Sequence, residues 1–434
     1  MSKLAINGGS KIRTKKFPPY RTMGKEEKQA VCRVIDSGVL SKFIGSWHED
    51  FYGGIEVKNL EKEWSEYFNV KHSIAVNSAT SALFCAIGAA GIGPGDEVIV
   101  PAYTFPASAI APLIYNAIPV FADIEEDYFC VSYASIKEKI TQRTKAIIVV
   151  DLFGQSYDVE KINSLAKEYN LLVIEDCAQA QGAKYKDKFA GTSGDIGIYS
   201  LNSQKHINCG EGGILVTNND ILADKVRMIR NHAEAVVEGR NFRDLTNMIG
   251  FNYRMTELEA AVTREQLKKL SYLVDERINN IEYLNKKLLG ISCLEVAKVR
   301  PQNVHSYGVH PIKFNKNIAS VHRNKFVDAL KAELMPIELR ESEGVRISSG
   351  YIKPLYLQPI YQEKIAYGKL GCPWTCPLYK GKVSYEKGIC PTAEKMHEDT
   401  LIVHELMRPG MSKNDLDDVA DAFEKVWNNI DELK

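Results

Sequence analysis

Long apolar runs are missing from this chain. The longest, such as Ala146 to Val150, fall far short of the roughly 20 residues a membrane-spanning helix needs. The opening MSKLAINGGSKIRTKKF has no apolar core of signal-peptide length. Neither sign of charge dominates: 55 Lys and Arg stand against 55 Asp and Glu, with no polybasic or acidic tail. Nucleic acid and membrane surfaces are therefore not expected partners. Cysteine is sparse, nine scattered among 434 residues, which fits a reducing cytoplasm better than a disulfide framework. Each Cys is first read as a small buried apolar residue. No G-x-G-x-x-G follows a strand-like segment, so a nicotinamide-dependent oxidoreductase is set aside. Repeats and low-complexity segments are absent too.

What is present is an ordinary soluble composition, 45% hydrophobic and 25% charged, in a chain too long for one core. Over the first 220 or so residues, strand-like and helix-like segments alternate. Helical spacing covers Ala79–Ala90, Ala107–Asn116 and Asp158–Tyr169. Strands are expected at Ser73–Val76, Glu97–Val100, Pro119–Asp123, Ala146–Val150 and Leu171–Glu175. Continuously apolar strands between helices predict an α/β fold with a mostly parallel sheet covered on both faces. From about Met255 the texture changes. A long charged helical stretch, Thr256–Leu289, precedes a strand at Val309–Phe314, a helix at Arg323–Leu334, a loop-rich region from Ile337 to Pro391 and a last helix near Leu416–Trp427. We expect a large domain over 1–275, including an N-terminal arm, and a smaller α+β domain over 276–434.

In parallel sheets ligands sit at the carboxyl ends of the strands. Asp176, in VIEDCAQA, directly follows an apolar strand, where a carboxylate is costly unless paired. A protonated pyridine nitrogen is one partner that would suit it, and a helix N-cap is the plainer reading. Lys205 lies 29 residues downstream (205 − 176), beside the glycines of CGEGG. A lysine there can form a Schiff base and shuttle a proton, whereas most lysines are solvated surface groups. NSATSA, from Asn77 to Ala82, joins a short strand to an apolar helix. Its small hydroxyl residues at a helix N-terminus make a phosphate cup or a simple cap. Phe105 follows another strand and could stack on a cofactor ring or sit in the core.

These pieces, in this order, resemble the sugar aminotransferases of the DegT/DnrJ/EryC1/StrS group. The resemblance rests on LAINGG…RT, NSATSAL, GIGPGDEVIVPAYTFPASA, PVFADI, DLFGQSYD, VIEDCAQAQGA, GTSGDIGIYSLNSQKHINCGEGGILVTNN and GFNYRMTELEAA. It implies a fold-type I transferase dependent on pyridoxal phosphate (PLP), with Lys205 as the Schiff-base lysine. It also implies Asp176 at the pyridine nitrogen, Gln179 at the ring hydroxyl, Phe105 stacked on the ring, and Thr80, Ser81 and Ser200 on the phosphate. Asn252 would reach the phosphate of the partner subunit in a homodimer. The chain departs from the group's pattern at Ala79, Asp151, Gln181 and in IYSL.

The implied reaction moves an amino group from glutamate or glutamine to the keto group of a nucleotide-linked sugar or a cyclitol, with ping-pong kinetics. A related branch with His in place of the lysine performs dehydration. The lysine here favours amino transfer, and retention of Lys205 with Asp176 argues against a non-catalytic regulator. No metal is expected: Cys372, Cys376, Cys390, His397 and His404 share a region but lack paired ligand spacing. The aromatic stretch Tyr351–Tyr379 and the segment Ser41–Tyr52 are candidate walls of the acceptor pocket, with packing or dimer contact as the alternative.

Overall fold

A computed structural model describes residues 3–434. Its central sheet has seven strands: β1 (His72–Val76), β2 (Glu97–Pro101), β3 (Ile118–Ala122), β4 (Thr144–Val150), β5 (Leu172–Asp176), β6 (Ile196–Ser200) and β7 (Gly213–Thr217). They lie in the order β1-β7-β6-β5-β4-β2-β3. The run β6-β5-β4-β2-β3 is parallel throughout. β7 pairs antiparallel with both β6 and β1, so β1 again points the same way as the others. The carboxyl ends of six strands and the start of β7 thus share one edge. This is the mostly parallel sheet expected from the sequence.

The continuous apolar runs are explained by burial on both faces. Along β4, Ile148 and Val150 enter one core with the helices Ala79–Ala89 and Asp220–Arg230. Ile147 and Val149 enter another with Tyr133–Lys139 and Val159–Glu168. The far half of that second face is covered by Ile55–Phe68, Glu257–Leu267 and the first turns of Leu270–Leu288.

A second, antiparallel sheet has the order β8 (Leu294–Val296), β9 (His310–Phe314), β11 (Leu401–His404), β10 (Ile347–Ser349). It packs on Arg323–Glu333 and Lys413–Asn428 in its own core. Two features blur the line between the cores. Helix Leu270–Leu288 gives Leu270, Leu273 and Val274 to the large-sheet core and Ile281, Leu284 and Leu288 to the other. Residues Leu355, Tyr361, Trp374, Tyr385 and Cys390, late in the chain, pack into the large core against Phe121 of β3.

Element bounds differ from the sequence reading in small ways. Asp176 is the last residue of β5 rather than the first after it. The stretch Thr256–Leu289 is two helices, the first opened by a capping box between Thr256 and Glu259. The antiparallel insertion of β7 beside β1 was not foreseen.

Trp64 holds the sheet to its covering helix. It is fully buried, stacked on Phe68 at 4.8 Å and edge-on to Tyr199 of β6 at 5.3 Å. Trp64→Ala should destabilise the fold by about 3–5 kcal/mol. Denaturant unfolding followed by near-UV circular dichroism measures this, and Trp64→Phe should lose far less.

Candidate active site

A cavity of about 560 Å³ opens at the shared edge of the large sheet. At one end is the start of helix Ala79–Ala89. Ser78 caps it, its Oγ accepting the Ser81 N–H at 3.0 Å. The N–H groups of Ala79 and Thr80 have no carbonyl one turn back, and both residues line the cavity. Ser81 does not line it. Its hydroxyl donates to Asn77 Oδ1 at 2.6 Å and lies 2.9 Å from Ser78 Oγ. Gly213, at the start of β7, passes directly beneath: a Cβ there would meet the Ala79 nitrogen at 2.5 Å.

Asp176 lies on the wall, 5% exposed. Ser108 Oγ donates to its Oδ2 at 2.8 Å and the Ala178 N–H to its Oδ1 at 3.1 Å. Both donors are neutral, and no cation bonds to it among the described residues. Burial pushes its pKa up, against these two hydrogen bonds and the more distant Lys205 charge. Ser108 was missed from sequence; its signal is a lone hydroxyl inside the apolar helix Ala107–Ile114.

Lys205 lies in the turn between β6 and β7 and lines the same cavity. Burial lowers its pKa, opposed by Asp176 and Glu405 and assisted by Arg408. Gln181, one of the departures from the group's pattern, clamps this turn. Its Nε2 donates to the Ser200 carbonyl at 2.6 Å and its Oε1 accepts the Ile207 N–H at 2.9 Å. Ser200 and Gln179 also line the cavity. Gln179 is tied up within the chain, accepting the Phe153 N–H at 3.1 Å and donating to the Tyr351 hydroxyl at 2.9 Å. Phe105 is 58% exposed at the cavity wall, which removes the core reading.

The structure therefore brings Thr80, Phe105, Asp176, Gln179, Ser200 and Lys205 together. It leaves Ser81 behind the helix cap, and Asn252 exposed outside the cavity, where its carbonyl accepts from Asn77 Nδ2 at 3.4 Å. Of the stretch Tyr351–Tyr379, Tyr351 reaches the cavity, while Trp374 and Tyr379 pack on the large sheet.

Beyond Lys205 lies a second cavity of about 280 Å³ that shares Gln179, Gln204, Lys205 and Tyr351 with the first. Arg346, Glu405 and Arg408 line it. Sequence reading passed over them; the visible signal is the charged pair in HELMRPG directly after β11.

Among the described residues, one set of three His, Cys, Asp or Glu side chains has ligand atoms within 4.8 Å of one another: Asp151, Glu175 and Cys177. Glu175 is satisfied by the N–H groups of Gly191, Ser193 and Gly194 at 2.6–3.0 Å. Burial and this neighbour push the Asp151 carboxyl well up. The group Cys372, Cys376, Cys390, His397 and His404 forms no such set.

A profile of the DegT/DnrJ/EryC1/StrS aminotransferase family matches residues 22–376. The chain belongs to the DegT/DnrJ/EryC1/StrS aminotransferase family. It is 34% identical to the GDP-perosamine synthase of Vibrio cholerae over 355 residues, 81% of this chain and 89% of that one. It is 30% identical to the L-glutamine:2-deoxy-scyllo-inosose aminotransferase of Streptomyces kanamyceticus, covering 83% of each. The aminotransferase structure from Psychrobacter cryohalolentis superposes with a TM-score of 0.80 at 27% identity, covering 96% of this chain and 100% of that one. This chain is thus an aminotransferase, and its cofactor is PLP.

Because Gly213 leaves no room for a side chain under Ala79, Gly213→Ala should push the helix start out of place. The expected result is PLP affinity lower by tenfold or more with secondary structure retained, read by equilibrium titration against circular dichroism.

Proposed function

We propose that this aminotransferase moves an amino group from glutamate or glutamine to the keto group of a sugar, either nucleotide-linked or a cyclitol. The relatives named above supply one name of each kind, GDP-perosamine for one and 2-deoxy-scyllo-inosose for the other. The observation that carries the site assignment is Asp176. It is a buried carboxylate with neutral donors only, on the same cavity wall as a part-buried lysine and a free helix N-terminus.

The cavity fits PLP. Its volume falls in the roughly 300–1,000 Å³ range of small-molecule sites. A helix N-terminus with free N–H groups suits a phosphate, and Asp176 lacks the cation that a pyridinium would supply. In this reading the N–H groups of Ala79 and Thr80, with the Thr80 and Ser200 hydroxyls, hold the phosphate. Ser81 supports them by fixing the cap rather than by contact. Asp176 pairs with the ring nitrogen, Phe105 covers a ring face and Gln179 stands at the ring hydroxyl. When bound, PLP supplies an aldehyde for the donor's amine and a cationic ring that withdraws electrons from the carbon losing its proton. Lys205 Nζ, its pKa lowered by burial, takes that proton from one carbon and returns it to another. Ser108 and Ala178 keep the Asp176 carboxylate oriented, and Gln181 holds the lysine turn in place.

We further assign a cytoplasmic homodimer with a shared site. Asn252 is exposed, and Asn231, bridged to it, holds the Ile44 carbonyl at 2.8 Å. The adjoining segment exposes Val39, Leu40, Ile44 and Trp47, apolar surface that a second copy would cover.

Two experiments test this reading. With glutamate or glutamine and no acceptor, the cofactor's visible band should convert to that of the amine form, and a keto-sugar should restore it. Lys205→Ala should slow amino transfer by at least on the order of 10²–10⁴. Unchanged turnover in that variant would remove Lys205 from the chemistry.

The second concerns pH. The raised Asp176 carboxyl must lose its proton to pair with a ring cation, so PLP should bind less tightly as pH falls through that raised value. Asp176→Asn should weaken binding and abolish this acid-side step. A step that persists in Asp176→Asn assigns it to another group.

A further inference from the structure

Four residues line both cavities: Gln179, Gln204, Lys205 and Tyr351. The function proposed above gives Lys205 the proton and Gln179 the ring hydroxyl, and Gln204 is exposed. Tyr351 has no part in that scheme, yet its backbone and its ring are both pinned. Gly350, at φ +79, turns the chain out of β10 where a Cβ would meet the His397 carbonyl at 3.0 Å. The Tyr351 N–H then donates to the hydroxyl of the fully buried Tyr103 at 2.8 Å. The Tyr351 ring meets Tyr103 and Phe153 edge-on, with centroids 6.2 and 5.5 Å away. Phe153 is itself held at φ +62, a left-handed conformation rare for a bulky side chain and typical of functional sites.

The hydrogen bonds leave one proton unused. Gln179 Oε1 accepts the Phe153 N–H at 3.1 Å, which fixes the orientation of the amide. Its Nε2 therefore donates to the Tyr351 oxygen, at 2.9 Å. Tyr351 is the acceptor in that bond, and its own O–H donates to no group among the described residues. The second Nε2 hydrogen diverges from the first by about 120° and is left for the ring hydroxyl. Two acceptors on one amide nitrogen then lie roughly 5 Å apart, too far to bond each other. The Tyr351 proton is free for a substrate atom, where both cavities meet Lys205. Burial, with Asp176 and Glu405 adding to it, outweighs the Gln179 hydrogen bond and pushes the phenol up to about 12. It stays an O–H donor at neutral pH.

Amino transfer puts one oxygen on the reacting carbon in each half-reaction. In the donor half a water is consumed. Its oxygen bonds to the reacting carbon as the carbon–nitrogen bond there breaks, and it departs as the keto oxygen of the product. The two hydrogens of the water end on the nitrogen left behind. The acceptor half runs the same steps backwards and releases a water. Of the atoms bonded to that carbon, a keto oxygen only accepts, which matches a spare donor. We propose that the Tyr351 hydroxyl donates a hydrogen bond to this oxygen and acts in the step that adds or removes water. It lends a hydrogen bond and keeps its proton. The inference rests on the amino-transfer reading above and adds a catalytic residue to it.

The test uses PLP-loaded Tyr351→Phe, which removes the hydroxyl and keeps the ring. PLP affinity, read by equilibrium titration, should change by less than about threefold, because Gln179 keeps its bond from Phe153. Two rates are then followed in heavy water with glutamate and with glutamine. One is exchange of the α-hydrogen, which precedes the water step; the other is formation of keto acid, which follows it. Exchange should fall by no more than about threefold, while keto acid formation falls on the order of 10- to 100-fold. In reverse, the amine form with 2-oxoglutarate should lose limiting rate by the same factor at a nearly constant half-saturating concentration, the pattern of an interaction made in the transition state. Equal losses of exchange and keto acid formation overturn the proposal and place Tyr351 at the proton transfer. Unchanged keto acid formation overturns it too, as does loss of PLP. Wild-type protein that does neither reaction with either amino acid sinks the donor reading, and the proposal falls with it.

Discussion

The Asp176 carboxylate is buried at the end of β5 with only the Ser108 hydroxyl and the Ala178 N–H to stabilise its charge. Two neutral donors do not offset the loss of water around a carboxylate, and its raised pKa records the shortfall. Much of the large sheet is arranged around that deficit. β5 lies between β4 and β6, so the carboxylate emerges in the middle of the edge rather than at its rim. β6 ends beside it at Ser200, and β7 returns along β6 starting at Gly213, which brings the Lys205 turn back over the same cavity. The helix whose N-terminus faces the cavity is seated on β7 at the one residue type that allows the approach.

A second electrostatic pole stands on the other side of Lys205, and its sign is opposite. The Asp176 side lacks a cation; on the other side Glu405 is ringed by Arg340, Arg346 and Arg408. Lys205 feels both, Asp176 raising its pKa and Arg408 lowering it, so burial decides the direction. Burial thus favours the neutral amine, the form that can accept a proton. The two poles come from different sheets, β5 of the large one and the turn after β11 of the small one. The helix Leu270–Leu288, shared by both cores, and Tyr351, which lines both cavities, tie them together. Lys205 thus sits where the charges of two independent cores meet.

The sequence revealed the large-sheet pole far better than the other, for a physical reason. Strands buried on both faces must be continuously apolar, so β4 and β5 stand out, and polar residues next to them are conspicuous. Asp176, Lys205 and NSATSA were legible in this way. Ser81 lies within the same motif, yet its hydroxyl is spent on the cap, because adjacent residues at a helix start point in different directions. The second pole draws on Arg277, Arg340, Arg346, Glu405 and Arg408, spread over 131 positions (408 − 277 = 131) and without local periodicity. Only the pairing of β11 with β10 and β9 brings them together. The aromatic stretch after Tyr351 stayed open between pocket wall and packing for a related reason. Aromatic residues in a long loop look alike whether they line a pocket or cover the edge strand β3, and here Trp374 and Tyr385 do the latter while Tyr351 does the former.

The acceptor side follows from what one chain leaves uncovered. Phe105 stands 58% exposed at the cavity, and Asn252 and the Val39–Trp47 segment lie exposed beside one another through Asn231. Apolar side chains clustered at a surface cost free energy unless something covers them. If a second copy does so, a bulky acceptor meets residues of two chains. Acceptor recognition would be left to exposed residues free to vary, and one scaffold could aminate both nucleotide-linked sugars and cyclitols.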